Sequence, residues 1–243
     1  MEAWGLTDQG NVRQQNQDAF RIMNLAEDAL LCVVCDGMGG AKSGNVASKL
    51  ASEVFSEEIK RSFSPAMTAD EAERMLRSAA TLANISVYEH AQLSDEYRGM
   101  GTTLVAALLY GQVTLVLNIG DSRAYHVDPD GIERITTDHS VVELMVRRGE
   151  LTPEQAKSHP SKNLITRAVG TTPQVYADVF RVKMGKNDSL LLCTDGLSNE
   201  MADQEILFEI AHGARKDDCC ERLLQIAKDR GAPDNVTSIL IAP

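Results

Sequence analysis

Long apolar runs are missing from this chain of 243 residues. None approaches the ~20 consecutive apolar residues that a membrane-spanning helix requires. The first residues, Met1–Gly5, also lack the basic and apolar regions of a secretory signal peptide. We therefore expect a cytoplasmic protein that makes no contact with a membrane.

Basic residues are in the minority, with 24 Lys and Arg against 35 Asp and Glu, and the formal net charge is -11. A protein that binds duplex nucleic acid needs a concentrated basic face, and no basic block occurs along this chain. We therefore expect no nucleic-acid partner. The excess acidic residues either belong to an ordinary solvated surface or include a cluster of carboxylates that binds cations. The positions of these residues decide between the two.

Cysteines are few, and their spacing does not form a disulfide framework. Cys32 and Cys35 have the C-x-x-C spacing, but they lie inside the apolar run Leu30–Cys35. On a strand, two positions three apart point to opposite faces, so these thiols cannot bind one metal or form a redox pair. We expect five reduced, mostly buried thiols. The set is Cys32, Cys35, Cys193, Cys219 and Cys220.

Linkers, internal repeats and low-complexity tracts are also missing, so residues 1–243 are predicted to form one domain. The chain is 43% apolar and 24% charged. A chain of this length and composition can bury a sizeable core and does not resemble a disordered protein.

The first half of the chain contains two kinds of pattern. The apolar run 29–35 predicts a buried strand. A helical pattern extends from about 45 to 61, and Thr68–Glu71 has the sequence of a capping box that begins a second helix. Residues 102–135 instead show strand-like alternation interrupted by turn residues. Because no helix intervenes between these strands, we expect antiparallel pairing.

The second half of the chain mixes helices and strands. Ser140 and Thr152 are predicted to cap two helices, and the second helix has proline at its first position. Further strands are predicted at 175–182, 189–194 and 236–242, and further helices near 203–212 and 219–230. This order predicts an α+β fold in which sheets lie between layers of helices.

Three aspartates end or flank apolar strands: Asp36, Asp195 and Asp234. An Asp-Gly pair is ordinarily a turn, but Asp36 and Asp195 each follow a buried run and lead toward a helix. Carboxylates at the ends of central strands would converge on one edge of a sheet, where their repulsion favours a bound divalent cation. Ligation by oxygen alone favours Mg²⁺ or Mn²⁺ over zinc. Gly37 lets the backbone come close, so its carbonyl could join the ligands.

Three rival motifs are incomplete. A cysteine phosphatase needs an arginine six positions after its cysteine, and no cysteine of this chain has one. The sequence Gly39–Ser43 resembles a nucleotide P-loop, but Ala41 stands where glycine is required. The sequence Gly120–Ala124 resembles the nucleophile turn of serine hydrolases, yet this turn joins two strands rather than a strand and a helix.

Eight short motifs follow one another along the chain. They are Arg13–Asp18, Asp36–Gly40, Gly101–Thr103, Gly120–Arg123, Asp138–Ser140, Arg167–Gly170, Thr194–Gly196 and Asp234–Thr237. Their order over residues 5–241 makes a chance match implausible. Together they resemble the metal-dependent serine/threonine protein phosphatases, the PPM or type 2C family, in their compact bacterial form. The resemblance implies an α+β fold of two packed antiparallel β-sheets, a β-sandwich, flanked by α-helices on both sides.

The resemblance also implies which residues bind two metal ions. Asp36 would bridge the two ions, and Asp195 and Asp234 would bind the first. The Gly37 carbonyl and Asp18, directly or through water, would bind the second. By this resemblance, catalysis depends on aspartates that bind metal ions rather than on a nucleophilic side chain.

Three further residues have implied roles. Asp121 matches the residue that holds a third metal ion together with Asp195 in bacterial members. Arg13 matches the arginine that binds the phosphate of the substrate. Asn235 would orient the metal ligands from behind them.

The implied reaction is hydrolysis of phosphoserine and phosphothreonine in proteins at a centre of two, or with Asp121 three, Mn²⁺ or Mg²⁺ ions. Such ions, about 3.5–4 Å apart, activate a water that attacks phosphorus, while Arg13 stabilises the phosphoryl oxygens. The expected partners are proteins phosphorylated by serine/threonine kinases, and the expected state is a monomer acting in signal transduction. Two alternatives stay open. One is an inactive relative that binds phosphoproteins or senses them, and the other is a phosphatase of small metabolites.

One departure from the family is Ala41, where many bacterial relatives carry a histidine. Within Asp138–Ser140, His139 is either a structural residue or part of the site, and Asp138 is either a helix cap or part of the site. The polar segment 147–163 falls where bacterial members have a mobile flap. We expect this flap segment to influence substrate choice and product release.

Overall fold

The computed structural model of the chain describes residues 1–40, 43–213 and 215–242. The strands in these ranges are β1 Glu2–Asp8, β2 Asp18–Ala26, β3 Ala29–Met38, β4 Gly101–Thr102, β5 Leu104–Tyr110, β6 Val113–Ile119, β7 Arg123–Asp128, β8 Gly131–Arg134, β9 Asp178–Val182, β10 Ser189–Cys193 and β11 Val236–Ala242. The α-helices are α1 Gly44–Ser62, α2 Ala69–Ala91, α3 Val141–Arg147, α4 Pro153–Lys157, α5 Asp195–Ser198, α6 Asp203–His212 and α7 Cys219–Asp229. A short 3-10 helix spans Asp95–Tyr97.

The strands form two antiparallel sheets. The first sheet has the order β1-β11-β10-β7-β8, and the second has the order β2-β3-β5-β6-β9. Every neighbouring pair in both sheets runs antiparallel, and the two-residue strand β4 pairs with the end of β3. The predicted α+β fold with two packed antiparallel sheets is therefore confirmed.

Strand β3 is buried on both of its faces. On one face, Val33 packs in an apolar cluster with Phe55 of α1. On the other face, Cys32 packs in a cluster with Leu192 of β10, which belongs to the opposite sheet. Because successive side chains of a strand point to opposite faces, burial on both sides requires an unbroken apolar run, as residues 29–35 have.

The first sheet is covered on its outer face by α6 and α7. Leu191 of β10 packs there in a cluster with Ile206 of α6 and Leu223 of α7. The layers are thus α1 and α2, the second sheet, the first sheet, and α6 with α7. This arrangement puts an apolar core between each pair of adjacent layers.

The cysteines lie where the strand pattern predicts. Cys35 belongs to the cluster under α1 and α2, whereas Cys32 belongs to the cluster between the sheets. All five thiols are buried and unpaired. The prediction that Cys32 and Cys35 point to opposite faces of β3 is confirmed.

The helix caps also follow the sequence. The Thr68 hydroxyl accepts a hydrogen bond from the Glu71 amide, and the Glu71 carboxylate accepts one from the Thr68 amide. Thr152 and Gln155 form the same reciprocal pair at α4, and Ser140 caps α3. In the part of the chain that the structure describes, no helix has the length and apolar character needed to cross a membrane.

Two strands were not predicted. β1 and β2 are the edge strands of the two sheets, each hydrogen-bonded to a single neighbour, β11 and β3 respectively. Most of their side chains are only partly buried, so their sequences lack a strong apolar pattern. The predicted strand at 175–182 begins later, at Asp178.

We predict that Leu192→Ala lowers the free energy of unfolding by about 2–5 kcal/mol, because it opens a cavity in the core between the sheets. Urea denaturation followed by circular dichroism measures the change. Leu93→Ala is the matched control, because Leu93 is 72% exposed and its loss should change stability by about 0.5 kcal/mol or less. Equal effects of the two substitutions would contradict the assignment of Leu192 to the core.

Candidate active site

Three aspartates meet at one edge of the two sheets. Asp36 lies near the end of β3, Asp195 begins α5 one residue after the end of β10, and Asp234 precedes β11. Strands β10 and β11 are antiparallel neighbours, so the end of one and the start of the other lie at the same edge. All three residues line one cavity of about 570 Å³.

Two further aspartates lie at the same edge. Asp18 begins β2 and is paired in register with Asp36 of β3. Asp121 stands in the turn between β6 and β7 and lines the cavity. The structure therefore brings together all five aspartates that the sequence singled out, with contributions from both sheets.

The Asp18 carboxylate is held from the opposite sheet. Its Oδ2 atom accepts hydrogen bonds from the Thr237 hydroxyl at 2.6 Å and from the Thr194 hydroxyl at 3.0 Å. Its Oδ1 atom is buried and has no hydrogen-bond partner among the described residues. Sequence reasoning missed the roles of Thr194 and Thr237, although both stand inside motifs that it quoted.

Asp195 is held in a similar way. Its Oδ2 atom accepts a hydrogen bond from the Asn199 side chain at 3.1 Å, and within the described ranges its buried Oδ1 atom is left without a partner. Gly196, the next residue, packs so closely that a Cβ atom there would collide with the Asn235 carbonyl oxygen. The glycine of this Asp-Gly pair is therefore required by packing between α5 and the start of β11.

Gly37 has a comparable constraint. Its amide donates a hydrogen bond to the Gln17 carbonyl at 3.1 Å. A Cβ atom at this position would collide with the backbone oxygens of Gly44 and Gln17. Only glycine allows the end of β3, the segment before β2 and the start of α1 to approach one another beside the cavity, which Gly37 lines.

Burial and mutual repulsion raise the pKa values of these carboxyl groups. Burial, followed by the charge of Asp195, raises the pKa of Asp121 to about 8. Burial likewise raises the pKa of Asp18 to about 7, against the opposing effect of its two threonine hydrogen bonds. At neutral pH the edge therefore binds protons unless another positive charge replaces them.

The pKa of Asp36 lies well above its usual range, first because the group is buried. Four neighbouring carboxylates then raise it further; these are Asp18, Asp195, Asp121 and Asp234. Burial and the charge of Asp234 also raise the pKa of Asp195. Asp36 is thus the carboxyl group whose ionisation the other four aspartates together oppose.

Arg13 stands at the mouth of the cavity. Its guanidinium donates to Asp234 Oδ2 at 2.6 Å, and its side chain is 51% exposed. The other Asp234 oxygen, Oδ1, accepts the Asn235 amide at 2.8 Å. Both carboxylate oxygens of Asp234 are thus hydrogen-bonded, and an arginine with further N–H donors lies beside the opening.

The donor set suits hard divalent cations. It consists of carboxylate oxygens and a backbone carbonyl, and two of the buried carboxylate oxygens lack hydrogen-bond partners in the described part of the chain. Within residues 1–40, 43–213 and 215–242, however, no three His, Cys, Asp or Glu side chains are grouped closely enough to hold a metal ion as they stand. The side chains would have to rotate to close around a cation, and Asp234 would have to turn from Arg13.

The other residues predicted for the site do not lie on the cavity wall. Asn235 is buried and does not line the cavity. The His139 ring is not on the cavity wall either: Nδ1 accepts the Gly120 amide at 2.9 Å, and Nε2 lies 2.9 Å from Asp178. Burial lowers the pKa of His139, so it supports the turn before Asp121 as a neutral ring.

Asp138 does not cap α3, because Ser140 does so. It forms instead an ion pair with Arg123, at 2.7 Å. Asn163, the last residue of the segment 147–163 that the sequence predicts as a flap, lines the cavity, and so does Ile165. Ala41, where a histidine was expected from the family, lies outside the described residues.

Comparison with known sequences gives a consistent result. Residues 10–240 match the family described as protein phosphatase 2C. The chain is 34% identical over 241 residues to the serine/threonine phosphatase stp of Listeria welshimeri, covering 99% of this chain and 95% of that protein. It is 32% identical over 242 residues to the protein phosphatase PhpP of Streptococcus pneumoniae, covering 100% of this chain and 97% of that protein.

Solved structures agree with these sequence matches. The crystal structure of the serine/threonine phosphatase Stp1 from Staphylococcus aureus superposes with a TM-score of 0.94 at 39% identity. The match covers 100% of this chain and 94% of that chain. The similarity therefore extends over both sheets and both layers of helices.

We predict that stability falls as pH rises when divalent cations are removed with EDTA. An aspartate whose pKa is higher in the folded state than the ~4 of the unfolded chain favours folding while protonated, and this contribution is lost as the pH rises through the folded-state pKa. The free energy of unfolding should therefore fall between about pH 4 and pH 8. Urea denaturation at a series of pH values measures it.

The variant Asp121→Asn should give a shallower pH dependence, because the amide does not titrate. Asp95→Asn is the control, since the Asp95 side chain is 89% exposed, and it should keep the wild-type profile. If Asp121→Asn and wild type showed the same profile, Asp121 would not be a repelled, buried carboxyl group.

Proposed function

The chain is an enzyme of the protein phosphatase 2C family, and we propose that it hydrolyses phosphoserine and phosphothreonine in proteins with divalent cations bound by its aspartates. The observation that carries this proposal is a group of five aspartates, of which four line one cavity and the fifth, Asp18, is paired with Asp36; four of the five have raised pKa values, and an arginine lines the same cavity. Such a group favours binding of cations, which metal dependence in this family requires.

We propose Asp36 as the ligand shared by two ions, which are Mn²⁺ or Mg²⁺. Asp195 and Asp234 would bind the first ion, and Asp18 and the Gly37 carbonyl the second. The unpartnered Oδ1 atoms of Asp18 and Asp195 support this assignment, because a buried carboxylate oxygen without a donor is satisfied by a cation.

Asp121, which lines the cavity near Asp195, is the residue that we propose for a third ion. When bound, the ions would neutralise the carboxylates, polarise the phosphoryl oxygens and lower the pKa of a water at the site. The chain's own side chains then orient the substrate.

We assign phosphate binding to Arg13. Its guanidinium is half exposed beside the cavity and can donate two hydrogen bonds to a phosphoryl group, a geometry that suits phosphate monoesters. When Asp234 turns toward a cation, its bond to Arg13 is released and those N–H donors become available to the substrate. One movement would thereby prepare both the ligand and the phosphate site.

Water is the proposed nucleophile, because the cysteines are unsuited to that role. Burial raises the pKa of Cys193 to about 12, and it raises the pKa of Cys35 further still. Thr103, a hydroxyl residue on the cavity wall, already has its oxygen bonded to the Asp36 amide and to Ser122. Hydrolysis would therefore proceed without a phosphorylated enzyme intermediate.

Phosphorylated proteins, including kinase substrates, are the partners that we propose for a monomeric enzyme. Residues 1–243 would act as one catalytic domain, because the apolar cluster around Leu192 joins both sheets. The flap segment 147–163 would contact the substrate, since Asn163 at its end forms part of the cavity wall.

We predict that the protein releases phosphate from a phosphothreonine peptide in the presence of Mn²⁺, and that EDTA reduces the rate to background. Excess Mn²⁺ should restore it. A malachite-green assay measures the phosphate, and small phosphorylated metabolites assayed in parallel should give lower kcat/KM values. Peptide binding without turnover at any metal concentration would favour the inactive phosphoprotein-binding relative. A rate unaffected by EDTA would contradict metal dependence.

We predict that Asp36→Asn reduces phosphopeptide turnover by a factor of about 10²–10³ or more, because the shared ligand and its charge are lost. In EDTA the same variant should be more stable than wild type, since an amide neither repels the neighbouring carboxylates nor has to take up a proton when the chain folds. Asp130→Asn, in the exposed turn between β7 and β8, is the control and should leave both properties unchanged. A near-normal rate in Asp36→Asn would rule out the assignment.

A further inference from the structure

The side chain of Asn235 bonds to the backbone of one loop on both sides of Arg13. Its Nδ2 atom donates to the Gln9 carbonyl at 2.8 Å and to the Gln15 carbonyl at 3.0 Å. Its Oδ1 atom accepts the Gln17 amide at 2.8 Å. The residue is only 4% exposed, so these bonds are made away from competing water.

The loop concerned, residues 9–17, connects β1 of the first sheet to β2 of the second and has no helix or strand of its own. Few backbone hydrogen bonds hold it to the rest of the chain; one is from the Asn11 amide to the Ala232 carbonyl at 3.0 Å. A loop without ladder bonds depends on side chains for its position. Asn235 is the buried side chain that contacts it at three points.

Asparagine is suited to this role because its amide offers two donors and one acceptor in a single plane. Aspartate would keep the shape and the bond from Gln17 but could not donate to the two carbonyls. Alanine would remove all three bonds and leave polar backbone atoms of the loop without partners.

Among the described residues, the one hydrogen bond from Asn235 to a candidate metal ligand comes from its backbone amide, which donates to Asp234 Oδ1. Any residue at this position except proline would keep that bond. All three of its side-chain bonds go to the loop. The expectation that Asn235 orients metal ligands therefore does not account for its side chain.

We propose that Asn235 is a positioning residue for Arg13: through its three bonds to residues 9–17 it holds the guanidinium at the cavity mouth, where the phosphate of the substrate binds. This inference rests on the proposed phosphatase function. It assigns the asparagine next to Asp234 to phosphate binding rather than to metal binding.

A double-mutant cycle tests the proposal with a phosphothreonine peptide and Mn²⁺. Arg13→Ala and Asn235→Ala should each raise KM about tenfold or more, with a smaller change in kcat. In the double variant KM should stay within about twofold of that of Arg13→Ala, because Asn235 acts through the arginine. Additive effects on KM would overturn the proposal.

Two measurements that do not depend on turnover accompany the cycle. Hydrogen exchange of residues 9–17 should become faster in Asn235→Ala, and the Mn²⁺ affinity measured by calorimetry should stay within about twofold of wild type. A large loss of Mn²⁺ affinity with unchanged exchange in the loop would favour a ligand-orienting role and overturn the proposal. Asn235→Asp, which keeps the shape, should also raise KM and replaces Asn235→Ala if the latter unfolds.

Asn199→Ala is the contrasting variant, because the Asn199 amide bonds directly to the carboxylate of Asp195. It should change Mn²⁺ affinity, leave exchange in residues 9–17 unchanged and be additive with Arg13→Ala. If wild type itself showed no metal-dependent turnover, the proposed function would fail, whereas faster loop exchange with unchanged KM in Asn235→Ala would refute only the role of Asn235.

Discussion

Repulsion between buried carboxylates is the constraint on which the site depends. Five aspartates from two sheets converge on one edge, where burial and neighbouring charge raise the pKa of four of them. Such an arrangement is unfavourable by itself, and the apolar layers above, between and below the sheets supply the stability that maintains it. Protons or divalent cations relieve the repulsion, so the affinity of the edge for positive charge follows from the fold.

Hydrogen bonds between the sheets orient the acidic groups. Thr237 of the first sheet and Thr194, which directly follows β10 of that sheet, hold the Asp18 carboxylate of the second sheet, so one oxygen is hydrogen-bonded and the other is left for a cation. Asn235, two residues before Thr237, holds the loop that joins the sheets. The short segment that begins β11 therefore provides a candidate ligand, a support for another ligand and the anchor of the phosphate-binding loop.

The sequence predicted the buried strands, the helix caps and the acidic residues more completely than it predicted the edge strands and the residues that hold the site in place. β3 is buried on both faces and the capping box at Thr68 is local, so both leave clear patterns over a few residues. The edge strands β1 and β2 are partly exposed and leave no such pattern. The bonds of Asn235 to the loop of residues 9–17 connect positions more than two hundred residues apart, and no local pattern encodes them.

The sequence by itself determined the family, the order of the helices and of the strands after β2, and the identity of the acidic residues, because motif spacing, caps and apolar periodicity are properties of neighbouring residues. The tertiary structure alone decided which side chains share a cavity, which oxygens lack partners and how far each pKa moves. Those properties depend on the distances between residues of the two sheets and on how deeply each residue is buried. The same reason explains why Asp234 faces Arg13, since the pairing of β1 with β11 brings the loop after β1 beside the segment before β11.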